Sequence, residues 1–307
     1  MKILVINPGS TSTKLAVYED NEQVWRKSVF HSAKDLSVFH HINEQYEYRR
    51  LHVTEALREA GIPLCFDAII ARGGLLKPTP GGVYRINERI KHDLWHADME
   101  HASNLAALIA DELAASAGCP AFIADPVVTD ELCDVARLTG IPEIPRISIF
   151  HALNSRAVSR NYAARIGKKY EELNLIVVHL GGGISVSAHH YGKVIDVNNA
   201  LNGEGPFSPE RAGTIPARQL VDLCFSGKYT YQEIRKMLAY PLLRSQRYIP
   251  AAKHVKYHVL SLSLGNLGLK SRQVQCKHKR SSITKQRYSI FSKYIKAELF
   301  SKTEGLR

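Results

Sequence analysis

Residues 2–18 read KILVINPGSTSTKLAVY, two apolar runs on either side of a turn rich in Gly, Ser and Thr. The pattern predicts a strand, a tight polar turn and a second strand. Such a turn offers backbone N–H groups and hydroxyls together, which suits a polyphosphate, and the amide oxygen of Asn7 can reach a metal or its water shell. Taken alone, the stretch fits an ordinary hairpin with a hydroxyl-rich tip equally well.

A second stretch has the same layout. Residues 175–188 read LIVVHLGGGISVSA, and a short turn with a further strand follows each copy, near residues 21–24 and 191–194. The spacing is too long for a solenoid repeat. It indicates two related domains, each presenting a hairpin of small residues to one cleft. Two phosphate-binding hairpins favour phosphoryl transfer over a structural role.

Length and composition set wide bounds. The 307 residues are enough for two domains of ordinary size, and the hydrophobic content of 45% is normal for a globular protein. No apolar run approaches the roughly 18 residues of a membrane span, so no membrane partner is expected. The five cysteines are scattered without a CxxC pair, which argues against a disulfide framework or a zinc site and favours a cytoplasmic location.

The net charge of +12 is unevenly distributed. Residues 240–307 carry 15 Lys and Arg against two Glu, whereas residues 1–239 carry 26 basic and 27 acidic side chains. A basic extension could bind nucleic acid. Because residues 240–307 show neither a recognisable nucleic-acid-binding module nor a regular aromatic spacing, a nucleic-acid partner is not expected.

Common nucleotide-binding motifs are missing from the sequence. The Gly192-Lys193 pair is followed by Val194 and has no glycine five residues earlier, so there is no Walker A motif. No GxGxxG follows a predicted strand either. The P-loop and Rossmann interpretations therefore fail.

The remaining secondary structure follows from apolar periodicity and turn residues. Strands are expected at residues 24–30, 66–71, 84–90 and 121–124. Helices are expected at residues 35–60, 103–117, 152–166, 220–225 and 231–239, with Gly118 ending the second. Loops are expected at residues 77–82 and 198–216, and a loop as long as the second is usually functional.

Four charged or titratable residues stand at the ends of these elements. Arg72 leaves a strand just before two glycines and can reach into a cleft, although a surface salt bridge is the commoner role of an arginine. Asp125 ends a strand, where it can orient a metal or a catalytic group or can serve as a turn residue. His151 lies near a helix N-terminus, where the dipole disfavours a protonated ring, and a lone histidine is more often structural than catalytic. Arg211 lies in the long loop.

Several motifs together resemble the butyrate kinases, the short branch of the acetate kinase family within the actin-like ATPase superfamily. They are VINPGSTSTK at 5–14, ARGGLLKP at 71–78, DPVV at 125–128, SIFHALN at 148–154, VHLGGGIS at 178–185 and GEGPFSPERAG at 203–213. The match covers residues 1–239 in order. The resemblance implies an α/β fold of two ribonuclease-H-like domains around a nucleotide cleft, residues 1–150 and 151–239.

The resemblance also implies the reaction: butanoate or a short branched-chain fatty acid and ATP give the acyl phosphate and ADP, in either direction, with Mg²⁺ as cofactor. The family's phosphate-binding positions fall on Asn7, Ser10, Thr11, Ser12 and Lys14 in the first loop, with Asn7 also at the metal, and on His179, Gly181, Gly182 and Gly183 in the second loop. The catalytic positions fall on Arg72, Asp125, His151 and Arg211. In this mapping the arginines flank the transferred group and Asp125 orients Arg or Mg²⁺.

The resemblance ends near Ala239. Residues 240–307 contain no Asp and no Gly-Gly pair, whereas the family continues with an adenosine loop and a glutamate of the metal site. We expect a basic, disordered tail that reflects a departure of the reading frame, and an incomplete second domain. The alternative to an active kinase is then an inactive, truncated remnant. A homo-oligomer is expected if the second domain is intact.

Overall fold

The computed structural model describes residues 1–202, residues 204–239 and the backbone of residues 262–263. The described chain falls into two compact units, Met1–Thr129 and a second that begins at Asp130. The sequence placed the boundary at residue 150. Residues 130–150 lie in the second unit, where Arg146 ion-pairs with Asp196 at 2.9 Å and Glu204 at 3.0 Å.

The first unit is built on a six-stranded sheet. Its strands are β1 Lys2–Pro8, β2 Ser12–Glu19, β3 Glu22–Phe30, β4 Ala68–Arg72, β5 Val83–Arg85 and β6 Ala121–Ala124, in the spatial order β3-β2-β1-β4-β6-β5. The first three form an antiparallel meander, as the sequence predicted. Strands β1, β4 and β6 run parallel, so their carboxyl ends share one edge of the sheet.

The first unit has four helices, and the last three of them contribute buried apolar side chains to its core. They are α1 Ala33–Leu36, α2 Tyr46–Glu59, α3 Glu88–Trp95 and α4 Asn104–Ala117, with a 3₁₀ turn at Asn43–Gln45. The core contains Leu4 and Ile6 of β1 together with Leu57 of α2 and Leu105 and Ile109 of α4. The predicted α/β class is confirmed.

Two of the expected elements are wrong in part. The helix predicted over residues 35–60 is interrupted, because the Glu44 carboxylate accepts hydrogen bonds from the backbone N–H groups of His40 and His41 and holds that segment out of a helix. The strand predicted over residues 84–90 ends at Arg85. Asn87 then caps α3 by accepting from the N–H of Ile90, a role that asparagine favours.

The second unit repeats the meander. Its strands are β7 Asn174–Leu180, β8 Ile184–His190, β9 Lys193–Val197 and β10 Leu262–Ser263, in the order β10-β7-β8-β9. Its helices are α5 Asp134–Arg137, α6 Ala152–Arg165, α7 Ala217–Cys224 and α8 Tyr231–Ala239, with a 3₁₀ turn at Tyr170–Glu172. The internal similarity predicted between the two hairpins is confirmed.

A buried polar chain links the strands beneath the second hairpin. The Tyr170 hydroxyl donates to Nδ1 of His189 at 2.6 Å, and Nε2 of His189 donates to the Ser187 hydroxyl at 2.8 Å. That hydroxyl donates in turn to the carbonyl of Val177 at 3.1 Å. Burial, helped by the charge of Arg156, lowers the pKa of His189 to about 3. The imidazole is therefore neutral at pH 7 and links the 3₁₀ turn at Tyr170–Glu172 to β8, where Ser187 continues the chain of hydrogen bonds to β7.

The predictions for residues 240–307, a basic tail and an incomplete second domain, lie outside the described residues apart from the backbone of residues 262–263. Within the described residues, every helix is too short or too polar to cross a lipid bilayer.

The end of α4 offers a test of the fold. Gly118 has a φ of +66° with nothing within 4 Å of an added Cβ, so only backbone strain opposes a side chain there. We expect Gly118→Ala to cost about 1–2 kcal/mol and to lower the thermal unfolding midpoint by a few degrees. Gly140→Ala is the matched control, since Gly140 is equally open and lacks a positive φ. Equal thermal unfolding midpoints for the two variants would contradict the left-handed backbone conformation of Gly118 at the end of α4.

The neutral state of His189 predicts a pH dependence. Between its ordinary pKa of 6.5 and about 3 in the folded state, the unfolded chain binds a proton that the folded chain does not. Stability contributed by this group is therefore present above pH 6.5 and is lost as the pH falls. We expect His189→Gln to lose less thermal stability than wild type between pH 7 and pH 5. The exposed neighbour variant His190→Gln should keep the wild-type loss, and an unchanged loss in His189→Gln would refute the assignment.

Candidate functional site

The carbonyl groups of the first loop, residues 9–12, all accept hydrogen bonds within the first unit. Arg49 donates from Nη1 to the carbonyl of Gly9 and from Nη2 to that of Ser10, both at 3.0 Å. The backbone N–H of His31 donates to the carbonyl of Thr11 at 2.9 Å, and the last carbonyl of the loop accepts from the N–H of Gly9 at 2.7 Å. The loop is therefore held from behind.

The donors of the same loop are left for a ligand or for water. Within the described residues, the N–H groups of Ser10 and Thr11 and the hydroxyls of Ser10, Thr11 and Ser12 make no hydrogen bond. Ser10 and Thr11 are exposed, and Lys14 is exposed on β2 opposite Asn7. Unpaired N–H groups and hydroxyls beside hydrogen-bonded carbonyls give this loop the donor pattern of an anion-binding site.

Three of the predicted site residues lie at one edge of the first sheet. Asn7 is the penultimate residue of β1, Arg72 ends β4, and Asp125 follows β6. The parallel register places Ile6 beside Ala71 and Arg72 beside Ala124, so these strands end side by side. The carboxyl ends of parallel strands are where α/β sheets bind ligands. The first-unit residues proposed from sequence are thus brought to the same edge.

Arg72 is a half-buried cation that lacks an acidic partner among the described residues. Burial lowers the pKa of its guanidinium. The next two residues must be glycine, because a Cβ on Gly73 would lie 2.6 Å from the Cβ of Pro126 and one on Gly74 would lie 2.7 Å from the Cα of Asn104. The loop therefore packs closely and presents a desolvated positive charge, which suits an oxyanion.

Asp125 holds the turn between its own strand and the loop at residues 77–82. Its N–H donates to the carbonyl of Gly82 at 2.9 Å, and its Oδ1 accepts from the N–H of Gly82 at 2.8 Å. The residue is buried and has a φ of +34°, a strained conformation for a residue with a side chain. The turn role weighed from sequence is present, and the catalytic role stays a prediction.

The second loop, Gly181–Gly183, repeats the arrangement with other residues. The N–H of Gly181 donates to the carbonyl of Gly183 at 3.1 Å, and the carbonyl of Gly182 accepts from the N–H of Glu210 at 3.0 Å and from the Ser208 hydroxyl at 2.6 Å. The N–H groups of Gly182 and Gly183 have no acceptor in the described part of the chain. A side chain on Gly182 would collide with the Glu210 carboxylate.

Two histidines stack beside this second loop. His151, which precedes α6, and His179 in β7 have ring centroids 3.7 Å apart and planes inclined by 9°. The Asn154 amide donates to Nδ1 of His179 at 2.9 Å, and Nδ1 of His151 pairs with the Ser185 hydroxyl at 3.1 Å. The Asn154 bond leaves the ring proton of neutral His179 on Nε2, which faces Gly181. The second-unit histidines predicted from sequence are therefore neighbours.

Arg211 is engaged with the backbone. It donates to the carbonyls of Leu201 at 2.9 Å, Glu210 at 2.6 Å and Ala239 at 2.9 Å. The guanidinium thereby ties the long loop at residues 198–216 to the end of α8. Its predicted contact with the transferred phosphoryl group remains a prediction.

Two supporting residues were missed from the sequence. Arg49 holds the first loop, and Asn104 holds the loop after β4 by accepting from the N–H of Leu75 at 2.9 Å while donating to the carbonyl of Met99 at 3.0 Å. An isolated Arg or Asn in a helix has no sequence signal for such a role. Only the position of Asn104 at a helix start, where its side chain can bind nearby backbone, offered a hint.

Comparison with known proteins gives consistent results. Residues 145–238 match the acetokinase family. The probable butyrate kinase of Phocaeicola vulgatus is 74% identical over 238 residues, which cover 78% of this chain and 67% of the relative. Butyrate kinase 1 of Clostridium acetobutylicum is 51% identical over 239 residues, which cover 77% of this chain and 67% of the relative.

Solved structures agree in fold. The acetate kinase of Porphyromonas gingivalis has a TM-score of 0.60 at 17% identity, covering 78% of this chain and 67% of the other. The acetate kinase of Entamoeba histolytica has a TM-score of 0.58 at 16% identity, covering 80% and 67%. The matched part of this chain thus spans about two thirds of its relatives. On the identity to curated relatives, the chain belongs to the acetokinase family, as its resemblance to the butyrate kinases predicted.

Proposed function

We propose that this chain is a butyrate kinase, which transfers the γ-phosphoryl group of ATP to the carboxylate of butanoate or a short branched-chain fatty acid. The products are ADP and the acyl phosphate, and the reaction runs in either direction. The observation that carries the proposal is that each loop has carbonyls hydrogen-bonded within its own unit, while its N–H groups at 10–11 or 182–183 have no acceptor among the described residues. Phosphoryl transfer depends on such fixed donors, because the protein has little covalent chemistry to perform.

The transfer itself needs no strong base. The acceptor carboxylate is already ionised at neutral pH. One of its oxygens forms the new bond to phosphorus as the bond from phosphorus to the β,γ-bridging oxygen breaks, and that electron pair leaves with ADP. The half-buried guanidinium of Arg72 stabilises negative charge on a bound oxyanion, and Asp125 keeps the neighbouring turn in place. Backbone donors of the two loops hold phosphate oxygens and align the reacting atoms.

The remaining second-unit roles are proposed from the resemblance together with the local geometry. His179 offers an Nε2–H beside the glycine loop and acts as a phosphate ligand. His151, stacked on it, donates to oxygens of the transferred group. Arg211 stabilises charge on that group and also anchors its own loop.

A magnesium ion fits the residues of the first unit. The side chain of Asn7 makes no hydrogen bond within the described residues, and its amide oxygen is a hard ligand of the type that Mg²⁺ accepts. No three His, Cys, Asp or Glu side chains of the described chain are grouped to hold a metal, and Mg²⁺ commonly binds through one or two protein groups, waters and substrate phosphates. When bound, Mg²⁺ would neutralise charge on the phosphate oxygens.

We also propose a cytoplasmic enzyme and a homo-oligomer. The four cysteines of the described chain, Cys65, Cys119, Cys133 and Cys224, are free thiols, which fits a reducing compartment. The oligomer rests on the resemblance alone.

The proposed function is tested with the full chain, butanoate, ATP and Mg²⁺, with acyl phosphate trapped as the hydroxamate. We expect Arg72→Met to lower kcat by about 10²–10³-fold, because a partly desolvated charge that stabilises the transferred group is lost. Arg85→Met is the control, since Arg85 is exposed on β5, and it should retain activity. Folded wild-type protein that forms no acyl phosphate would refute the proposed function.

A further inference from the structure

We propose that Arg49 is the positioning residue that turns the N–H donors of the first loop outward, and that ATP binding depends on its planar fork. The part of the inference that concerns ATP binding rests on the proposed function. The orientation of the loop can be tested without it.

Arg49 is an unusual buried charge. It is fully buried on α2, and burial lowers the pKa of its guanidinium. Buried arginines are normally paired with an acid, yet within the described residues Arg49 has no ion pair and binds only uncharged oxygens. Its charge is therefore left uncompensated directly behind the loop and favours an anion on the other side.

The geometry of the fork explains the orientation of the loop. Nη1 and Nη2 each bind one of two consecutive carbonyls, those of Gly9 and Ser10, at 3.0 Å. In a trans peptide, the carbonyl of one residue and the N–H of the next point in opposite directions. Drawing the Gly9 and Ser10 carbonyls inward therefore turns the N–H groups of Ser10 and Thr11 outward. These are the two N–H groups of this loop that have no acceptor among the described residues.

Neighbouring groups fix the fork in place. Nε of Arg49 donates to Oε1 of Gln45 at 3.0 Å, one turn earlier on the chain. Nη1 also approaches the buried hydroxyl of Thr13 at 3.4 Å, which pairs with Nε2 of His31 at 2.9 Å. Burial and then the charge of Arg49 lower the pKa of His31 to about 4. His31 is neutral at pH 7 and adds no second positive charge.

The next residue supplies a matched control. Arg50 donates from Nε to Glu47 at 2.7 Å and ion-pairs with Glu112 at 3.3 Å. It shares the helix and the side-chain type of Arg49, but its charge is balanced by acids. Among the described residues, none of its hydrogen bonds or ion pairs reaches the loop at residues 9–12.

The test uses full-length Arg49→Lys, Arg49→Met and Arg50→Lys proteins. Lysine keeps the charge but cannot hold two carbonyls in a planar fork. In the absence of ligand, we expect the His31 amide, which donates to the loop, to exchange hydrogen about tenfold faster in both Arg49 variants, the effect of a lost charged hydrogen bond. The amide of Ile86, which donates to Ala121, should exchange as in wild type. Arg50→Lys should match wild type throughout.

The second measurement is activity with ATP as the varied substrate. We expect the KM for ATP to rise at least tenfold in both Arg49 variants while kcat changes less, because the loop binds phosphates in ground state and transition state alike. An Arg49→Lys protein with wild-type exchange and KM would overturn the proposal, since charge alone would then suffice. Wild-type protein without kinase activity would instead count against the proposed function, and local exchange at His31 would still decide whether Arg49 orders the loop.

Discussion

A trans peptide cannot place its carbonyl and its N–H on the same side, and both candidate phosphate loops depend on that constraint. A loop that is to offer N–H groups to an anion must find internal donors for its carbonyls. The first unit supplies them from Arg49, from the backbone of His31 and from within the loop itself. The second supplies them from Ser208, from the backbone of Glu210 and from Gly181. The N–H groups left without an acceptor are thus a consequence of the internal hydrogen bonds made by the loop carbonyls.

Sheet topology places the charged groups relative to the first loop. Because β1, β4 and β6 are parallel and adjacent, their carboxyl ends lie side by side. This register alone brings Asn7, Arg72 and Asp125 to the same edge of the sheet. The two glycines after Arg72 let the chain pass against Pro126 and Asn104. The arginine can then be desolvated without being forced into an ion pair with an acidic neighbour of the described chain. Desolvation strengthens the attraction between a cation and a bound anion, because the local dielectric constant is lower than in water.

The features predicted correctly from the sequence are those set by residues close together in the chain. Alternating apolar runs with small-residue turns gave both hairpins, and Gly118 gave the end of α4. The wrong predictions, at 35–60 and 84–90, arise where one side chain binds nearby backbone: Glu44 and Asn87 outweigh the apolar periodicity around them. Arg49, Asn104 and His189 could not be found, because their burial and partners are set by residues far away in the chain.

The two units therefore resemble each other in backbone pattern. The groups that hydrogen-bond to the carbonyls of their loops differ chemically. The first loop rests on a buried guanidinium, which costs desolvation free energy but leaves a positive charge behind the loop. The second rests on a neutral hydroxyl and a backbone N–H, and carries the Glu210 carboxylate against Gly182. A carboxylate at that position opposes an anion, whereas the charge of Arg49 attracts one. Of the two loops, the first consequently has the stronger intrinsic preference for phosphate. At the second loop, the guanidinium of Arg211 lies 3.9 Å from the Glu210 carboxylate and offsets part of its negative charge.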